Sequence, residues 1–309
     1  MIAAAGAAVI APLHLFLAAY AFLGPLHYLT EISWLHDRGY FVSRERRRSL
    51  WLGLVMTALV VMVYGYVQSD LLHRPVGPAL EIGLFYGVFV AAAIVLFIRH
   101  VANVIAAFIL AIVAVTLFST NPIYGIAAYL LITIIHVFIF TGVFLITGAM
   151  KARSWSGYVS VAVFLSCAVA ALFLRSPFVV ATERLRDTYA PFAQLNELLL
   201  HLIGAGAASP AAGVMQFIAF AYTYHYLNWF SKTSIIKWHE VGRIRALGIV
   251  LAWIAGTIVY VVNYRAGFAL FYVMSVAHVM LEFPLNHQSV ASLGRSLRSG
   301  LWREGATTG

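Results

Sequence analysis

Nine stretches of this chain are apolar over about the 20 residues that a helix needs to cross hydrocarbon, and no other feature narrows the possible folds as far. They run over 6–35, 49–68, 80–98, 101–119, 122–148, 157–174, 210–231, 244–262 and 266–285. Inside a bilayer each backbone N–H and C=O must be satisfied locally, so runs of this length become helices. With 62% hydrophobic and 10% charged residues, a soluble globular chain is excluded. The expected fold is all-α, a polytopic membrane bundle of about nine helices. Residues 1–290 are expected to form a single transmembrane domain and 291–309 a basic cytoplasmic tail.

Charge placement supplies the orientation. When alternate connections are assigned to opposite sides, fifteen of the 20 Lys and Arg fall on one side: Arg38, Arg44, Arg46, Arg47, Arg48, Arg99, Lys151, Arg153, Lys232, Lys237, Arg243, Arg245, Arg295, Arg298 and Arg303. The positive-inside rule then predicts an outer N-terminus and a cytoplasmic C-terminus in the inner (cytoplasmic) membrane. Basic residues spaced between apolar runs fit topology and not nucleic-acid binding. The opening residues lack the basic start of a secretory leader and are expected to begin the first span. The connection 175–209 has leucines at helical spacing and is expected at the outer interface. FSKTSIIKWHEVGRIR, residues 230–245, mixes four cations with Ile235, Ile236 and Trp238, a pattern suited to anionic lipid headgroups. Cys167 stands alone, which excludes a disulfide framework and a cysteine-rich metal site.

Eleven histidines are present. His36, His73, His100, His239 and His287 fall near helix ends or in loops, His201 in the interfacial segment and His14 near an outer helix end, where water reaches them. His27, His136, His225 and His278 instead lie within the first, fifth, seventh and ninth spans, all running in the same direction. From the outer ends, His136, His225 and His278 follow after 14, 15 and 12 residues, within a slab of roughly 5 Å at about 1.5 Å per residue. His27 follows after 21; Gly24 and Pro25 permit a kink that would bring it level. Neutral imidazole is a ready ligand for iron, copper or zinc, so four at a similar depth predict one shared metal centre.

Glu31 and Glu282 each follow a histidine by four residues and so share its helix face. They are candidate partners for the ligand nitrogen that does not bind metal, and Asn228, three residues beyond His225, is another. Tyr222, Tyr224 and Trp229, from YTYHYLNWF, could line a groove for a flat conjugated chain or simply pack the bundle.

The order of four segments resembles the bacteriorhodopsin-related-protein family, Brp/Blh. They are G-P-L-H-x-x-x-E at His27, I-I-H at His136, H-x-x-x-x-F at His225 and V-A-H-V-M-L-E-F-P-L-N-H at His278. The resemblance implies an integral-membrane iron-dependent dioxygenase that cleaves β-carotene to retinal, with Fe(II) held without haem by these histidines and dioxygen as co-substrate. It also implies a lipophilic substrate entering from the bilayer. Departures from the family pattern are Trp229 in place of a second histidine, Tyr28 and Val137 in place of glycine, and Thr141 in place of an acid. The residues alone leave two other classes open. One is a membrane haem or quinone electron-transfer protein; the other is a proton-coupled transporter working through Glu31, Glu282 and the histidines.

Overall fold

The computed structural model describes residues 1–68, 79–97, 134–174 and 213–306, and all regular elements among them are helical. In chain order they are α1 (Ile2–Ile10), α2 (Pro12–Ala18), a π-helical turn (Ala19–Leu23) and α3 (Gly24–Asp37). A 3-10 turn (Gly39–Phe41), α4 (Glu45–Tyr66) and α5 (Ala79–Phe97) follow. A second π turn (Ile135–Phe140) leads into α6 (Thr141–Ala152) and then α7 (Trp155–Phe173). The chain ends with α8 (Gly213–Ser231), α9 (Thr233–Ile236), α10 (Arg243–Val262) and α11 (Tyr264–Ala306).

Among the described residues, six helical segments are long and apolar enough to cross a membrane, as a multi-pass membrane protein requires: Pro12–Asp37, Arg47–Tyr66, Ile135–Ala152, Trp155–Phe173, Arg243–Val262 and Tyr264–Arg298. The predicted span 80–98 contains a shorter apolar helix, Gly83–Phe97. The predicted span 210–231 is α8, whose apolarity is diluted by Gln216, Thr223, His225 and Asn228. The predicted span 101–119, the first part of 122–148, and the interfacial segment 175–209 lie outside the described residues.

The described chain forms two compact units, Met1–His27 with Leu130–Phe271, and Tyr28–Tyr129 with Tyr272–Gly309, so the division falls inside α3 and inside α11. In the first unit the entering helix breaks at Ala11 (φ −142°, ψ 63°), directly before Pro12. Proline disfavours helical geometry in the residue before it and is well placed to open a new helix. Ala4, Ala5 and Ala8 of α1 are buried together with Ala168 and Ala171 of α7 and Ala219 of α8. Small side chains allow helix backbones to approach where no aqueous hydrophobic effect drives them together. Phe164, Phe217 and Phe220 fill the same core. Asn263 ends α10 and caps α11 by accepting the Ala266 N–H at 3.1 Å. Immediately beyond, Gly267 lies against the Tyr260 backbone, where any β-carbon would overlap.

The second unit packs the later part of α3, α4, α5 and the later part of α11 around Leu35, Trp51, Val55, Ala92, Met280 and Phe283. Polar ties hold its edges. The Arg47 guanidinium donates to the Val95 carbonyl at 2.8 Å, and Gln288 donates to the Phe41 carbonyl at 2.6 Å. Between α3 and α4 the chain turns through left-handed conformations at Gly39, Tyr40 and Phe41. There burial pushes the Tyr40 phenol above its ordinary range, partly offset by Arg48. α11 carries Pro284 internally and continues to Ala306, through most of the predicted tail.

Candidate metal centre

Three of the predicted histidines meet in the first unit. His27 comes from the start of α3, His136 from the second π turn and His225 from α8. The Nε2 atoms of His27 and His225 are 3.1 Å apart. Their rings lie edge to face with centroids 4.8 Å apart, and the His136 ring is 5.3 Å from that of His225. His27 and His136 are buried and His225 is partly exposed.

Local helix geometry explains how residues so distant in sequence converge. The break at Ala11 restarts the helix at Pro12, so His27 lies 15 residues in (27 minus 12), close to the counts of 14 and 15 for His136 and His225 from their predicted outer ends. Both π turns, Ala19–Leu23 and Ile135–Phe140, lie just before or around a cluster histidine. A π turn inserts one residue per turn and swings the following side chains around the axis, a distortion concentrated at functional sites. The first turn is held from outside by the Trp253 indole, which donates to the Phe22 carbonyl at 2.9 Å.

Thr141 completes the arrangement. Its hydroxyl lies 2.6 Å from the Val137 carbonyl and 2.9 Å from His225 Nδ1. A carbonyl can only accept, so the single hydroxyl proton goes to Val137 and the oxygen accepts from His225 Nδ1–H. His225 Nε2 is then the bare nitrogen, facing His27. Aromatic rings enclose the pair: Tyr226 is 5.1 Å from His27 and 5.7 Å from His225, and Trp229 is 5.3 Å from His27, between centroids.

The donor set fits a late first-row cation. Two imidazole nitrogens bound at about 2.1 Å to one ion are about 3.0 to 3.4 Å apart when they are adjacent ligands, and about 4 Å apart when they are opposite. The 3.1 Å separation is that of adjacent ligands. Neutral nitrogen donors suit iron, copper or zinc and add no fixed negative charge to a low-dielectric interior.

His278 lies in the second unit, buried and stacked on Tyr28 with centroids 4.3 Å apart. Also in that unit, the buried Glu31 and Glu282 side chains hydrogen-bond to each other. A hydrogen bond between two carboxyl groups requires that one carry the proton. Asn228 takes the Tyr224 hydroxyl on its side-chain oxygen at 3.5 Å. Tyr224 packs against Phe220 and Phe164 in the core, and Tyr222 meets Phe16 edge-on at 5.3 Å. Sequence reasoning treated Thr141 only as a departure from a family pattern. The available signal was its position one turn and a residue after His136, but a hydroxyl in an apolar helix usually bonds its own backbone and so attracts no notice.

After α8 the basic connection carries an exposed Lys237–Glu240 ion pair at 3.1 Å, exposed Ile235 and Ile244, and Trp238 set edge-on to Phe230. Burial pushes the Lys232 ammonium below the usual lysine range.

Fold and site together define a helical, multi-pass membrane protein with an intramembrane histidine cluster able to hold a metal ion. Comparison of the chain with family models, with curated proteins and with solved structures returns no match.

Proposed function

We propose that this protein is a membrane-embedded non-haem iron oxygenase acting on a lipophilic substrate, with oxidative cleavage of a carotenoid to retinal-type aldehydes as the leading reaction. The observation that carries the reading is the 3.1 Å approach of His27 Nε2 to His225 Nε2, with His136 beside them and Thr141 behind. His27 and His225 would hold the ion, which when bound would supply the activation of dioxygen. The protein contributes position and dryness. Thr141 orients His225, while Tyr226 and Trp229 wall the His27 face against water.

Cleavage of one carbon–carbon double bond by dioxygen balances without an external reductant. Both oxygen atoms enter the product, one on each new aldehyde, so β-carotene and one dioxygen become two retinals. Such a substrate dissolves in lipid and enters from the bilayer. The basic connection around Lys237, Arg243 and Arg245 rests on anionic headgroups at the cytoplasmic face of the inner membrane.

Adjacent nitrogens at 3.1 Å disfavour the haem alternative for this pair, since axial haem ligands lie on opposite faces of the ring at about 4 Å. The test is retinal production in cells that make β-carotene, with and without the protein, beside metal analysis of the purified protein. Retinal that depends on the chain and is lost in His225→Ala supports the proposal. Bound iron without retinal keeps the oxygenase class and removes this substrate. A metal-free protein, or one with a Soret band, refutes it.

A further inference from the structure

We infer that Thr141 is a positioning residue that locks the His225 proton on Nδ1 and thereby holds Nε2 as a standing lone pair for a divalent transition-metal cation, an inference that rests on the metal-centre reading above. Neutral imidazole left to itself prefers the opposite tautomer, with the proton on Nε2, which would close the nitrogen that faces His27. Something must therefore hold the proton at the other end of the ring.

The hydroxyl does so because its own proton is committed. Thr141 donates to the Val137 carbonyl one turn back at 2.6 Å, and the only role left for the oxygen toward His225 Nδ1, at 2.9 Å, is that of acceptor. Thr141 is buried, as is Val137, so water does not compete for either bond. The π turn Ile135–Phe140 ends directly before Thr141, placing the hydroxyl against α8. Among the described residues of the first unit, the imidazoles of His27 and His136 face His225, as does the Tyr226 ring on its own helix. None of these contacts His225 Nδ1 among the described hydrogen bonds. A hydroxyl is also a weaker acceptor than a carboxylate, so it directs the proton without drawing it off the ring. His225 thus stays a neutral ligand.

The experiment reads the tautomer directly, in metal-free protein. Protein labelled with nitrogen-15 in histidine, in detergent or nanodiscs, is compared with His225→Ala to assign the His225 ring signals, and then with Thr141→Val and Thr141→Ser. Expected are a protonated Nδ1 and a bare Nε2 in wild type and Thr141→Ser, reversing in Thr141→Val. Valine has nearly the same shape, so a merely structural role would leave the tautomer alone. In parallel, Co(II) affinity is expected to fall about 10–100-fold in Thr141→Val, the usual effect of losing a partner behind a ligand histidine, and to recover in Thr141→Ser. A wild-type His225 protonated on Nε2, or an unchanged tautomer in Thr141→Val, overturns the inference whatever the metal result. The expected tautomers in a protein that takes up neither cobalt nor iron support the proton lock and overturn the metal-centre reading instead.

Discussion

Replacing Phe164 with alanine separates packing from hydrophobic transfer in this protein. Phe164 is 1% exposed in α7, stacks on Phe138 of the second π turn at 4.6 Å and lies 5.4 Å from the Tyr224 ring. In water, truncating such a phenylalanine costs about 3–5 kcal/mol, part of it lost transfer free energy. In a bilayer the separated helices still bury their apolar side chains in lipid, so the transfer part vanishes and only packing remains. Removing about 100 Å³ at about 24 cal/mol per Å³ gives about 2.4 kcal/mol if the site does not collapse. The lost ring stack adds about 1 kcal/mol. The expected loss is therefore about 3 kcal/mol, read from reversible unfolding in mixed micelles. Leu165, its neighbour on the lipid-facing side of the helix at 50% exposure, should lose no more than about 0.5 kcal/mol on truncation. Because Phe138 sits two residues from His136, Phe164→Ala should also weaken metal binding, and Leu165→Ala should not. A loss below about 1 kcal/mol for Phe164→Ala, or equal losses for the two variants, would refute the packing argument.

Further outcomes can be checked with modest effort. His225→Ala removes one metal ligand; if about 10–16 kcal/mol is shared over four ligands in a typical site, each accounts for about 3–4, so affinity should drop about 10²–10³-fold. Unchanged affinity in a cobalt titration would place the metal elsewhere. Gly267→Ala puts a β-carbon into the Tyr260 backbone, and thermal unfolding should show an overpacking loss of about 1–3 kcal/mol or more; a neutral result would contradict the close α10–α11 approach. Removing Lys237, Arg243 and Arg245 singly should each weaken retention of anionic over zwitterionic lipid by about 1 kcal/mol, or about fivefold. Native mass spectrometry in mixed lipids measures this, and no preference in the wild type would end the headgroup proposal.

The cluster shows where sequence reading succeeds and where it stops. Polar residues cost free energy in hydrocarbon, so His27, His136 and His225 stand out against their apolar runs, and three separate helices do bring them together in the first unit. Their partners were less legible. Glu31 and Glu282 share helix faces with His27 and His278, and their side chains also bond each other, a pairing that neither helix shows by itself. Asn228 is near His225 in sequence, yet it meets Tyr224. Spacing along one helix specifies a face but not what another helix presents to it.

By itself the sequence determines that this chain is helical and crosses a membrane, because backbone groups in hydrocarbon have no other means of satisfaction and the apolar runs are long enough to need it. Hydropathy and histidine positions are properties of single segments, and single segments suffice for that much. Only the tertiary structure decides that the first helix breaks at Ala11, that two π turns rotate His27 and His136 toward His225, and that a threonine hydroxyl supplies the acceptor behind the ligand. Those outcomes depend on short-range fits between helices, set by which small residues allow approach and which carbonyls find donors. Such fits are settled within a few ångströms, in contacts that no one-dimensional pattern records.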